Sequence, residues 1–177
     1  MRLHKVIENV VDNDQKGYIK GRFAGENVRL INDILYYTAE EQIEGAILSL
    51  DFRKAFDSVN RDFMFKVRLK KFNFGESFLK WVNTIYSKSE CVIVNNGWIS
   101  ESFEMECGIR QGCPLSALLF ILVVDIMACN IRKDKCYKGI SLPNNDNGEE
   151  VRIAQLADDT VLFVGNEKKY RDWFKHC

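Results

Sequence analysis

Apolar and polar residues recur along this chain with several distinct periods, and each period predicts an element. Val28, Ile31, Leu35 and Thr38 follow Gly25 at helical spacing, which predicts a helix over about 26–41. Gly45 breaks that pattern, and the small and branched residues of AILSLDF predict a mostly buried strand ending at Asp51. Asn60 suits an N-cap, so a helix is expected from there to about Phe72, and a GES turn then starts another containing Phe78, Val82 and Ile85. CVIVNNGWISESFEMEC alternates on each side of Asn96-Gly97, a dipeptide suited to the positive backbone angles of a tight turn, which predicts a β-hairpin. Pro114 falls at a first helical position, where its missing N–H costs nothing, and a long apolar helix runs from there to about Ile131. Beyond a basic connector (Arg132, Lys133, Lys135, Lys138), LPNNDNG reads as a polar loop, and VRIAQLADDTVLFVG as two short strands flanking Ala157, Asp158 and Asp159. Those acids are expected at a hairpin tip. Strands and helices without regular alternation predict an α+β fold, an antiparallel sheet with helices packed on one face. No internal repeat or low-complexity tract is visible.

Composition sharpens this picture in a few places. With 177 residues, 46% of them hydrophobic, the chain can bury one sizeable core and is expected to form one globular domain. Its 25 basic and 25 acidic side chains cancel, so net charge gives no hint of a nucleic-acid partner. The stretch from Asp51 to Lys88 is locally basic, with nine Lys or Arg against four acids; standing alone, it reads as a solvated helix surface. Six cysteines occur without a C-x-x-C pair, which fits free thiols in a reducing compartment, and the terminal His176-Cys177 pair reads as exposed rather than metal-binding. The opening MRLHKVIENVV lacks the apolar core of a secretory signal. The longest apolar run, from Ala117 to Val124, ends at Asp125, short of the roughly 18 to 20 residues of a membrane span, and predicts a buried helix.

The strongest candidate chemistry lies in acids at the ends of two apolar strands, Asp51 on one and Asp158-Asp159 on the other. Placing carboxylates there without partners costs several kcal/mol by burial, so each calls for a reason. If the hairpin lies beside the Asp51 strand in one sheet, three oxygen-donor groups meet at one edge and can hold hard divalent cations such as Mg²⁺. Two cations about 3.5 to 4 Å apart would clamp the attacking and leaving oxygens of a phosphoryl displacement. The plainer reading of either acid group alone is ordinary turn chemistry, since Asp is common in hairpin turns and after strands.

LSLDFRKAFDSVN, GIRQGCPLSALLF and LADDTVLF, in this order and at these separations, resemble the three central palm motifs of non-LTR (LINE-like) retrotransposon reverse transcriptases. DQKGYIKGR and ENVRLINDI resemble that family's segment between fingers and palm, and the likeness runs from about Leu3 to Val164. The resemblance implies an RNA-directed DNA polymerase with a reverse-transcriptase palm, partial fingers and no thumb: about 1–45 a fingers remnant, about 46–165 the palm and 166–177 a tail. It implies that Asp51 and Asp158 ligate two catalytic Mg²⁺ ions, with Mn²⁺ a substitute, while Asp159 supports the metal site and Phe52 lends a backbone carbonyl. Phe56, five residues after Asp51, matches the family's aromatic gate against a ribose 2′-hydroxyl; without the resemblance it reads as a core aromatic. Gln111 and Gly112 match the contact to template and incoming nucleotide, and Arg110 a contact to phosphate. Pro114 and the helix after it are then support, burying Leu118, Leu119 and Leu122 beneath the sheet. Asp57, six residues from Asp51, reads as turn or cap chemistry and not as a ligand. The basic stretch gains weight as a face tracking a nucleic-acid backbone. Trp81 and Trp98 read as core.

The chain also departs from the family pattern. Leu156 stands where Tyr or Phe usually precedes the paired acids by two positions, which removes an aromatic surface near the primer end. FKVRLKKF holds one residue more than the family's usual helix there, and one added residue rotates the rest of a helix by about 100°. The implied partners are an RNA template, a DNA primer and deoxynucleoside triphosphates, in the nucleus or cytoplasm; no membrane is expected, and nothing in the sequence points to a homo-oligomer. Two other readings stay open: a remnant that no longer polymerises and at most binds nucleic acid, and another palm polymerase, either a group II intron-type reverse transcriptase or an RNA-dependent RNA polymerase. A palm lacking its last elements is further expected to expose apolar surface and to be poorly soluble alone.

Overall fold

The computed structural model describes residues 2–69, 72–143 and 150–165. Most of the expected polar loop after Pro143, the tail over 166–177 and its His176-Cys177 pair lie outside the described residues. The chain divides into two compact units, one formed by its first 52 residues with those from Val124 onward, the other by Arg53–Val123.

The first unit is built on a three-stranded antiparallel sheet. Its strands are β1 (Gly45–Leu50), β8 (Ile153–Leu156) and β9 (Asp159–Gly165), in the order β1-β9-β8. Two helices precede the sheet in the chain, α1 (Arg2–Val10) and α2 (Ala24–Glu40), and a two-stranded ribbon of β6 (Ile140–Ser141) and β7 (Glu150–Val151) extends it. The last part of α5 (Pro114–Lys133) also belongs to this unit. Alternation along β9 sends its side chains to two separate clusters. Leu162 and Val164 pack with Ile153, with Ala46, Leu48 and Leu50 of β1, and with Met127, Ala128 and Ile131 of α5. Phe163 and Val161 pack with Ala154 and with Leu30, Ile31 and Ile34 of α2. Helices therefore cover both faces of the sheet, and the expectation of one covered face is corrected. β9 is central and buried on both sides, so it reads as the continuous apolar run TVLFV. Strand β1 is the edge: alternate residues face solvent, and it is half-exposed rather than mostly buried. The α5 residues that meet the sheet are Met127, Ala128 and Ile131; Leu118, Leu119 and Leu122 are fully buried but belong to the part of the helix in the other unit.

Helix α2 starts two residues earlier than its periodicity suggests, and its apolar periodicity marks only part of the buried face. Asn27 and Ile34 point inward, while Val28 and Leu35 are 60% and 50% exposed. Asn27 is drawn in by a hydrogen bond, its Nδ2 donating to the Gln155 carbonyl at 2.8 Å. At the other end of α1, the Arg22 guanidinium donates to the carbonyls of Glu8, Val11, Asp12 and Gln15, satisfying acceptors that the ending helix leaves open.

In the second unit Asn60 does cap a helix, its Oδ1 accepting from the Phe63 N–H at 2.9 Å. That α-helix, α3 (Arg61–Phe63), gives way at once to a π-helix over Met64–Leu69. The expectation of a regular α-helix to about Phe72 is thus corrected: the chain here winds with the wider π turn. Helix α4 (Glu76–Tyr86) comes next, as expected. The segment 90–104 forms a hairpin of β2 (Glu90–Cys91), β3 (Val94–Asn95), β4 (Trp98–Ile99) and β5 (Phe103–Glu104), with Asn96 at φ 48° and Gly97 at φ 85° in its turn. Trp81 and Trp98 are 70% and 81% exposed, which corrects their reading as core. Arg61, counted in the basic stretch, points inward: it donates to the carbonyls of Tyr86, Met105 and Gly108 and lies over the Tyr86 ring. Helix α5 is long and apolar enough to cross a membrane by length and composition, but Leu118–Leu122 are buried within the protein.

Candidate active site

Backbone pairing decides where the three acids stand. The β1–β9 ladder runs from Gly45 opposite Gly165 to Leu50 opposite Thr160, so the next step along the same register brings Asp51 level with Asp159. Leu156 pairs with Asp159, which leaves Ala157 and Asp158 as the two-residue turn between β8 and β9. The hairpin acids thus lie beside the Asp51 strand in one sheet, at the same edge. Asp51 and Asp159 are exposed and Asp158 is partly buried. Among the described residues no ion pair neutralises any of the three.

The turn itself is unusual. Ala157 has φ 58°, a left-handed conformation that costs a residue with a Cβ about 1 kcal/mol or more. A buried segment that the sequence marked only through its resemblance to the family, Asp14–Gly17, holds it there. The Gln15 side chain, 1% exposed, accepts from the Ala157 N–H at 2.7 Å and from the Gly17 N–H at 2.8 Å through Oε1, and donates to the Ala157 carbonyl at 3.1 Å through Nε2. The backbone joins in: Gln155 N–H donates to the Asp14 carbonyl at 2.9 Å, and Lys16 N–H to the Gln155 carbonyl at 2.8 Å. Gly17 lies so near that a Cβ built on it would stand 2.4 Å from the Ala157 nitrogen. Behind the turn, Gln155 Nε2 donates to Thr160 Oγ1 at 3.1 Å.

Arg132 anchors the bracing segment from the other side, pairing with Asp12, Asp14 and the buried Asp125. Burial raises the Asp14 carboxyl above its ordinary range despite the hydrogen bond from Arg132. Glu150 behaves oppositely: burial acts to raise it, but the Gly139 N–H, Arg152 and Lys138 together hold it below the usual range.

The remaining candidates stand in the second unit, apart from Phe52, which is partly buried in the first. Phe56 stacks on Phe120 with ring centroids 4.7 Å apart and planes 11° from parallel. Gln111 is held by Asp57, its Nε2 donating to Asp57 Oδ1 at 3.1 Å. Asp57 thus has a partner that its reading as turn chemistry did not anticipate. Gly112 has φ 77° and would meet nothing within 4 Å if given a Cβ, so the backbone after Gln111 is open on that side. Arg110 is exposed. Cys113, next to the N-terminus of α5, is raised by burial, yet the Ser116 and Leu115 N–H groups, the Ser116 hydroxyl and Arg110 bring its thiol below the usual range.

The donor set in the first unit suits a hard divalent cation: three carboxylates on neighbouring positions, open to solvent and without a protein cation to neutralise them. Among the described residues no three His, Cys, Asp or Glu side chains are gathered closely enough to hold a metal as they stand. Like charges repel, so ionised carboxylates keep apart where no cation joins them.

The sequence as a whole matches a known class. The model of the reverse transcriptase (RNA-dependent DNA polymerase) family matches residues 1–177. Over 162 residues, 92% of this chain, it is 33% identical to the transposon TX1 uncharacterized 149 kDa protein of Xenopus laevis. It is 28% identical over 86% of its length to the retrovirus-related Pol polyprotein from the type-2 retrotransposable element R2DM of Drosophila melanogaster. It is 30% identical over 91% of its length to the corresponding polyprotein from the type-1 retrotransposable element R2 of Nasonia vitripennis. The chain belongs to the reverse transcriptase family, and its likeness to these retrotransposon proteins fits a LINE-like segment of that family. It spans 12%, 14% and 16% of the length of those three relatives.

Proposed function

We propose that this chain carries the palm of an RNA-directed DNA polymerase that extends a primer 3′-hydroxyl with deoxynucleoside triphosphates on an RNA template. The observation that carries the reading is the register that brings Asp51 level with Asp159, with Asp158 in the adjoining turn. Asp51 and Asp158 would hold two Mg²⁺ ions, with Asp159 supporting the set and the Phe52 carbonyl completing it. Bound there, such cations stabilise charge on the attacking and leaving oxygens of a phosphoryl transfer. The chain's own part is positional. A sheet fixes the carboxylates on rigid backbone, and the turn presents Asp158 from a strained conformation that its neighbours impose. The gate role of Phe56 and the template, nucleotide and phosphate contacts of Gln111, Gly112 and Arg110 belong to the same proposal.

The test is primer extension on a poly-adenylate template with an oligo-thymidine primer and Mg²⁺, comparing the chain with its Asp158→Ala, Asp159→Ala double variant. Extension by the chain and none by the variant supports the reading. Equal extension by both sinks the metal assignment. Absence of extension from a folded, monomeric chain overturns polymerisation by this chain alone. Comparing ribonucleotide with deoxynucleotide incorporation tests Phe56, since equal use of both contradicts its role as a gate.

A further inference from the structure

We propose that Gln15 is a positioning residue for the acidic turn: its side-chain amide holds Ala157 in the left-handed conformation and so fixes where Asp158 stands at the sheet edge. The inference rests on the polymerase reading for the purpose of the turn, but its geometry stands independently.

A β-turn of Ala-Asp has no intrinsic reason to adopt φ 58° at its first residue; Gly, Asn or Asp would enter that region far more readily. Something outside the turn must favour it. Gln15 touches both ends of the Ala157 unit, accepting from its N–H at 2.7 Å and donating to its carbonyl at 3.1 Å. Two bonds from one rigid amide to one residue constrain the orientation of both flanking peptide planes, which defines the residue's conformation. The amide is itself held, since its Oε1 also accepts from Gly17 N–H, and it is 1% exposed, so water cannot substitute for it. Gln15 lies 142 positions from Ala157 in the chain, so the contact cannot be a by-product of local turn formation. A purely structural glutamine would brace the sheet as a whole; this one bonds to the residue immediately before Asp158.

The experiment uses the full 177-residue chain and three variants: Gln15→Met, which keeps length and burial but removes the side chain's two bonds to Ala157 and its one to Gly17, Ala157→Gly, and the two combined. Amide hydrogen exchange by NMR reports the turn. In Gln15→Met the Ala157 amide is expected to exchange about tenfold faster, with Leu162 and Phe163 unchanged, as suits loss of a single buried hydrogen bond. Paramagnetic broadening by Mn²⁺ reports the carboxylates, and its midpoint is expected to rise by about fivefold in Gln15→Met. Glycine enters the left-handed region without strain, so Gln15→Met with Ala157→Gly is expected to return the midpoint to within about twofold of the unsubstituted chain. Unchanged exchange at Ala157 overturns the proposal, as does uniform acceleration along β9 that Ala157→Gly does not reverse. If Mn²⁺ broadens nothing in the unsubstituted chain, the polymerase reading fails, and the exchange comparison alone decides whether Gln15 holds the turn.

Discussion

Among the described residues two hairpins have turns of two residues, and they are held in opposite ways. Asn96-Gly97 joins β3 to β4 with both residues at positive φ, a conformation that these residue types favour on their own. Its strands are short and exposed, with Trp98 and Ile99 81% and 68% accessible. Ala157-Asp158 joins β8 to β9 with an alanine at φ 58°, and there the conformation is imposed by Gln15, by the backbone of Asp14 and Lys16, and by the close approach of Gly17. A turn made by its own residues is cheap and leaves no obligation elsewhere in the chain. A turn made by its surroundings requires a remote segment to keep its shape, and proteins accept such strain where something else is gained by it. On the proposed reading, what is gained is a carboxylate held at the edge where Asp51 and Asp159 stand.

This contrast can be broken at several points. The largest effect is expected at the strand that supports the acids. Phe163 is fully buried between β8 and α2, and Phe163→Ala is expected to destabilise the chain by about 3 to 5 kcal/mol in urea denaturation. Trp98→Ala, an aromatic truncation on the exposed hairpin, should stay within about 0.5 kcal/mol. The next effect separates the turns directly. Gly17→Ala puts a Cβ against the Ala157 backbone and is expected to cost about 1 to 3 kcal/mol, with hydrogen exchange accelerated at Ala157. Gly97→Ala meets open space and should cost only the strain of its φ, about 1 kcal/mol. A result in the reverse order would mean that the Ala157 turn is not held by its neighbours.

The smallest effect concerns Glu150, in the ribbon beside the sheet. Its folded-state pKa lies below the ordinary 4.5, so its contribution to stability is present above that pH and is lost as pH falls through the lowered value. Glu150→Gln should therefore lower the melting temperature at neutral pH, and the gap to the unsubstituted chain should narrow on acidification below 4.5. Asp14 shifts the opposite way through burial, and the difference between the two proteins cancels its contribution. A gap that widens in acid contradicts the assigned bonds.

What was legible in the sequence was local. The Asn96-Gly97 turn, Pro114 at the start of α5, the Asn60 cap and the strand-ending Asp51 each come from a residue's own stereochemistry or from a short period. What could not be read depended on partners far along the chain. Val28 and Leu35 mark an apolar stripe on α2, yet Asn27 is the residue drawn inward, because its amide reaches the Gln155 carbonyl. Coverage of both sheet faces was missed for the same reason: the apolar run of β9 admits burial on two sides, but nothing in it names the second helix. Asn60 marked where a helix starts, whereas the switch to a π-helix at Met64 is a backbone solution that no periodicity encodes. Gln15 was marked only as part of DQKGYIKGR, a segment singled out by its resemblance to the family, and its bonds to the turn exist only once the chain returns to meet it at Ala157. The three acids became candidates because carboxylates ending apolar strands are costly and because the motifs around them resemble the family's; the pairing register then sets Asp51 level with Asp159, with Asp158 in the adjoining turn.

The most direct test of that edge is backbone-resolved relaxation with Mn²⁺ at substoichiometric concentration, read across both hairpins in the same sample. The account predicts that Phe52, Asp158 and Thr160 broaden together and that Asn96 and Gly97 do not, with Asp51→Asn abolishing the effect at Asp158 as well as at Phe52. Broadening that survives Asp51→Asn at Asp158, or that appears first at the glutamates of the exposed hairpin, would contradict a shared cation site built from Asp51, Asp158 and Asp159.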